Sequence, residues 1–194
     1  MTSTLRPIKG RRGKRLRGFG FARDERGATA IEFGILALPF FMIIGATLET
    51  SVVFLSAQVL DSAVQDVSRL VRTGQNRELG VTSVAAFKAR VCDRLYGLFS
   101  DCGALHVEVD TVTNFASATI SPPIDVAACA TDKTKCTWSR PESFSAGQGS
   151  SIVVVQVYYK WPVVVGLGGY NVGNLGDGTR LIGGTAVIRN EPYT

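Results

Sequence analysis

The sequence predicts an α+β protein: a long N-terminal helix, membrane-spanning in its first half, packed on a small antiparallel sheet of about four strands. Three observations carry this. Residues 33–48 are an apolar run without a charged side chain, set between Glu32 and Glu49. Beyond it, Leu60, Ala63, Val64, Val67, Leu70 and Val71 recur at three- and four-residue steps, the period of an amphipathic helix. From His106 onward the period falls to two. Helices first and strands afterwards suit an α+β fold, with the sheet covering the exported half of the helix.

Residues 1–27 hold nine Lys/Arg against Asp24 and Glu25, a net of +7, whereas the rest of the chain sums to −2. A basic stretch can bind nucleic acid. This one abuts an apolar helix, so it obeys the positive-inside rule and sits at an anionic cytoplasmic leaflet. Phe19 and Phe21 are its only aromatics. Nucleic acid is therefore not an expected partner, and 1–27 reads as a cytoplasmic leader.

Crossing a bilayer takes about 20 predominantly apolar residues. The run reaches that length only by extending from Ala28 to Leu55 and accepting Glu32 and Glu49. A secretory peptide has a shorter core with cleavage beyond it, and the small residues around Thr47 to Ala57 are a weak competitor for that role. Pro39 should kink the helix. Gly74 is a C-cap signal, with Arg69 and Arg72 in the last turns to suit the dipole. A helix over 28–74 is roughly 69 Å long at 1.5 Å per residue, so its second half must project from the membrane and pack on something.

Residues 75–194 form the periplasmic head. Gln75–Thr82 reads as a polar linker, and Ser83 caps a second helix ending near Gly97. His106–Val112 alternates as a half-buried strand, Phe115–Ile120 is a short second strand stopped by Pro122-Pro123, and 151–161 is the strongest strand of the chain. Leu181–Arg189 supplies the last. Eight glycines between Gly166 and Gly184 mark a loop.

All four cysteines, Cys92, Cys102, Cys129 and Cys136, follow the span and so lie outside the cytoplasm, where disulfides persist. Spacings of ten and seven residues, with a single histidine, argue against zinc. Three connectivities are possible. Local closure, Cys92–Cys102 and Cys129–Cys136, is the simplest.

Motifs for enzyme chemistry are lacking. The chain has no G-x-S-x-G, P-loop or H-E-x-x-H, and Gly166-Leu167-Gly168-Gly169-Tyr170-Asn171 fails G-x-G-x-x-G at its last position. His106 has no nucleophile placed beside it by sequence and reads as a surface or packing residue. Neither an enzyme, a cofactor nor a metal is expected.

Glu32 stands apart. A carboxylate within an apolar span costs a few kcal/mol and is by default a functional candidate. It follows a basic leader and Gly27, whose missing side chain lets a protease approach the backbone closely. Cleavage after Gly27 would leave an amine on Ala28, and a buried carboxylate needs such a positive partner, here from an adjacent subunit.

Gly27-Ala28-Thr29-Ala30-Ile31-Glu32-Phe33, behind its Arg-rich leader, resembles the processing site of type IV prepilins, in particular the TadE-like pseudopilins of the tight-adherence (Flp) pilus system. The likeness extends through Ala37-Leu38-Pro39, Gln58 to Ala63 and Arg72-Thr73-Gly74, with an echo at Arg189-Asn190-Glu191-Pro192-Tyr193. The resemblance implies a type IV pilin-like fold and cleavage by a prepilin peptidase at Gly27, with Ala28 as the new N-terminus and Glu32 the assembly carboxylate. It implies a single-pass protein of the bacterial inner membrane with a periplasmic head. Other pilins, pseudopilins and the assembly machinery are its partners, and surface adhesion is its purpose. Whether it enters the extracellular filament stays open, as does a signal-anchored periplasmic binding or adhesion domain or a tethered enzyme. For Arg189–Tyr193 a polar strand end and an interaction role stand level.

Overall fold

The computed structural model describes residues 27–164 and 171–193; residues 1–26, where a leader is expected, 165–170, within the expected glycine loop, and Thr194 lie outside the described residues. Two compact units divide the chain, 1–41 and 42–194. Helix α1, Ala28–Arg72, continues through Pro39. It is long and apolar enough to cross a membrane. It stops where expected: Gly74 takes φ 75°, and its N–H donates to Val71 O at 3.2 Å. Gly74 is required twice over, because a Cβ there would also lie 2.9 Å from the Tyr193 ring.

In the second unit α1 is followed by α2 (Gln75–Glu78), α3 (Val84–Asp93), β1 (His106–Val112), α4 (Val126–Thr131), β2 (Ser143–Phe144), β3 (Ile152–Trp161) and β4 (Arg180–Arg189). The sheet order is β2-β1-β3-β4. β3 runs antiparallel to both neighbours, with Glu108 opposite Gln156 and Gln156 opposite Thr185. One face carries Val107, Val109, Val153, Val155, Val157 and Tyr159, and packs with Leu60, Val64, Val67 and Val71 of α1 and Phe87 and Val91 of α3 in one buried core. Close approach needs Gly184, where a Cβ would stand 2.9 Å from Asp61 Cα. Gln65 Nε2 then reaches Thr185 O at 2.9 Å.

Two expectations for the sheet are corrected. Phe115–Ile120 is not a strand: Phe115–Ser117 is a 3₁₀ turn, because Asn114 and Ser117 bond each other's backbone N–H groups in a capping box and withdraw them from any ladder. The fourth strand is instead β2, and it pairs with β1 in parallel, so the sheet is mixed. Two smaller differences lie before it. The polar linker holds the single turn α2, and α3 ends at Asp93, with turns from Arg94 to Leu98 in place of further helix.

The disulfides are local, Cys92–Cys102 and Cys129–Cys136. The first ties the end of α3 to the turn before β1. The second closes the loop after α4, where Ile124, Leu175, Trp138 and Leu181 pack around its sulfurs.

Candidate functional site

Gly27 directly precedes α1, Ala28 opens it, and Glu32 follows four residues later. A Cβ built on Gly27 would meet nothing within 4 Å, and both Gly27 and Glu32 are exposed. Helical spacing sets Glu32 one turn beyond Ala28. Its surroundings on the helix are apolar on every side: Ile31, Phe33, Ile35, Leu36 and Leu38 are each more than 60% exposed. A helix apolar all round suits a lipid or protein environment rather than water. The hydroxyls further along it are satisfied internally, Thr47 Oγ1 by Ile43 O and Ser51 Oγ by Thr47 O, both at 2.8 Å. The segment thus carries an exposed carboxylate one turn beyond the Gly27–Ala28 peptide bond, where nothing crowds Gly27.

A second constellation, missed from the sequence, covers the sheet face turned away from α1. Period-two alternation puts His106, Glu108, Gln156 and Tyr158 on that face, and all four are buried. Arg140, from the loop before β2, straddles Glu108, with Nη2 2.9 Å from Oε2 and Nε 3.2 Å from Oε1. His106 Nε2 lies 3.0 Å from the same carboxylate, and Trp138 stacks on the imidazole at 4.5 Å. Arg140 also donates to Ser121 O at 2.8 Å, while Tyr158 donates its hydroxyl to Gln156 Oε1 at 3.0 Å. Burial, and next the charge of Glu108, push the Tyr158 phenol above its ordinary pKa, with Arg140 opposing.

Beside this cluster a cleft of about 390 Å³ is lined by Lys88, His106, Trp138, Arg140 and Glu142. Its charges are committed. Lys88 bonds Glu142 at 2.7 Å and Gly103 O at 3.1 Å, and Glu142 also accepts the Val107 N–H. The arrangement fastens loop 113–142 to the sheet, which makes His106 a packing residue. Among the described residues no group of three His, Cys, Asp or Glu is placed to hold a metal ion.

The C-terminal residues are docked. Glu191 N–H donates to Arg72 O at 2.9 Å, and Asn190 Nδ2 to Ala146 O and Gln148 O at 2.8 and 2.9 Å. The Tyr193 ring lies against Gly74 and under Arg77, whose guanidinium is 5.3 Å from its centroid. A backbone donor here satisfies one of the open carbonyls at the end of α1.

Residues 27–69 match the family model described as TadE-like protein, of the Tad/Flp pilus system. The match spans Gly27, Glu32 and α1 as far as Arg69, and none of the sheet. No curated protein and no solved structure matches the chain.

Proposed function

We propose that the protein is a membrane-anchored minor pilin or pseudopilin that takes part in assembling a Tad/Flp-type pilus for surface attachment. The observation that carries this is Glu32, the one carboxylate in the stretch 28–48 of α1, which is apolar on every side, five residues beyond Gly27 in a segment that matches TadE-like proteins. In this reading the leader stays in the cytoplasm, α1 crosses the inner membrane and the sheet lies in the periplasm. A prepilin peptidase cuts after Gly27. The new Ala28 amine of one subunit then neutralises Glu32 of the next, and that pairing sets the register of helices in the bundle.

Two measurements test it. Edman sequencing of the protein purified from membranes should begin at Ala28; a start at Met1 or Thr2 would point to a signal-anchored binding domain instead. Glu32→Ala should leave the protein in the membrane fraction and reduce surface pili about tenfold or more, since a buried pair worth over 1.4 kcal/mol is lost at each subunit. Normal piliation by the variant would overturn the assigned role of Glu32.

A further inference from the structure

We propose that Trp161–Val164, the segment leaving β3, is a second lipid-contacting surface that rests in the outer headgroup layer of the membrane crossed by α1. The proposal rests on the reading of α1 as a span, and it assigns the base of the sheet a partner of its own. The segment is pinned where the uncharged run of that span ends. Val164 N–H donates to the Glu49 carboxylate, and Glu49 is the first charge after the apolar run of 33–48. Hydrocarbon gives way to headgroups at such a residue, so Val164 stands at the same depth.

The chemistry of the segment suits that depth. Val164 is 86% exposed, more than any other large apolar side chain among the described residues, and Pro162 is exposed beside it. Trp161, half-buried, is held edge-on by Phe99 at 5.4 Å and by Tyr159 at 6.2 Å. A rigid, amphipathic indole next to bare valine is the composition of an interfacial belt. No Asp, Glu, Lys or Arg occurs from Trp161 to Gly176, whereas the loop over the outer sheet face holds Asp132, Lys133, Lys135, Arg140 and Glu142. Non-helical backbone is costly in the hydrocarbon itself, which places the segment in the headgroup layer and no deeper. Lipid contact there, added to the Glu49 bond, steadies the sheet against the bilayer surface.

The test uses the full-length chain in vesicles of phosphatidylethanolamine and phosphatidylglycerol, with Trp138→Phe leaving Trp161 as the only indole. Lipids brominated near the top of the acyl chain should quench Trp161 about twofold or more, and should leave the reciprocal Trp161→Phe protein, which reports Trp138, unquenched. Val164→Asp should lower that quenching by about half. Loss of quenching at high protein-to-lipid ratio would assign the surface to a second copy and overturn the proposal. Carbonate extraction separates the two readings. Protein retained in the bilayer with Trp161 unquenched overturns this inference alone, while protein released by carbonate overturns the span as well.

Discussion

Leu36 and Leu60 are the same residue in the same helix, yet the first is 71% exposed and the second wholly buried. Around Leu36 the helix is apolar on every side. Around Leu60 the apolar residues form a stripe with Asp61, Gln65, Asp66 and Arg69 opposite. The difference teaches that apolar content alone says only that a helix avoids water; the distribution round its axis says what replaces the water. A stripe calls for one protein face, here β1, β3, β4 and α3. All-round apolarity calls for apolar surroundings on every side.

The sharpest way to break this comparison is the same substitution at both places. Leu60→Ala should cost about 3 kcal/mol, for the lost burial and the cavity left behind. Leu36→Ala should change the stability of the sheet by less than about 0.5 kcal/mol. Urea unfolding of the full chain in detergent, followed by near-ultraviolet circular dichroism, reads both. Equal losses would mean that the two stretches share one environment.

The two faces of the sheet make a parallel contrast, one sealed by valines and the other by a charge network. Arg140→Ala leaves Glu108 buried without its main partner and should destabilise by about 2 kcal/mol, less than a fully buried pair because the Arg140 side chain is 39% exposed. Adding Glu108→Gln should recover part of that loss. A double variant no better than Arg140→Ala would show that shape, rather than charge, seals this face.

The smallest expected effect is on pH dependence. Tyr158 titrates above its ordinary value because burial, then Glu108, disfavour the phenolate. Its stabilisation is complete below about pH 10 and is lost as pH rises through the folded value, so Tyr158→Phe should flatten the alkaline limb of the stability curve. At the other limit, burial works to raise the Asp177 carboxyl, but hydrogen bonds from Thr179 and the charge of Lys160 hold it below its ordinary value. Thr134 does the same for the exposed Asp132. Stability from these two is present above about pH 4 and lost as pH falls through the folded values. An alkaline limb unchanged in Tyr158→Phe would remove Tyr158 from this account.

Much of the fold was legible in the chain, because it depends on neighbours in sequence. The stripe from Leu60 to Val71, the Gly74 stop and the alternation of β1, β3 and β4 are local periods, and each element falls within a few residues of where those periods place it. Short cysteine spacings favoured the two local disulfides for the same reason. The order of basic leader, Gly27, Ala28 and Glu32 is likewise written along the chain, and the family match over 27–69 rests on that stretch.

Tertiary structure alone decided the rest. β2 is only Ser143–Phe144, too short to show a period, and exists because β1 offers it a parallel edge. Arg140 finds Glu108 across 32 residues, and Val164 finds Glu49 across 115. Glu191 and Tyr193 lock against the end of α1 only once β4 has delivered them there. Such contacts follow from which surfaces meet when the chain closes on itself, and no window of sequence holds both partners.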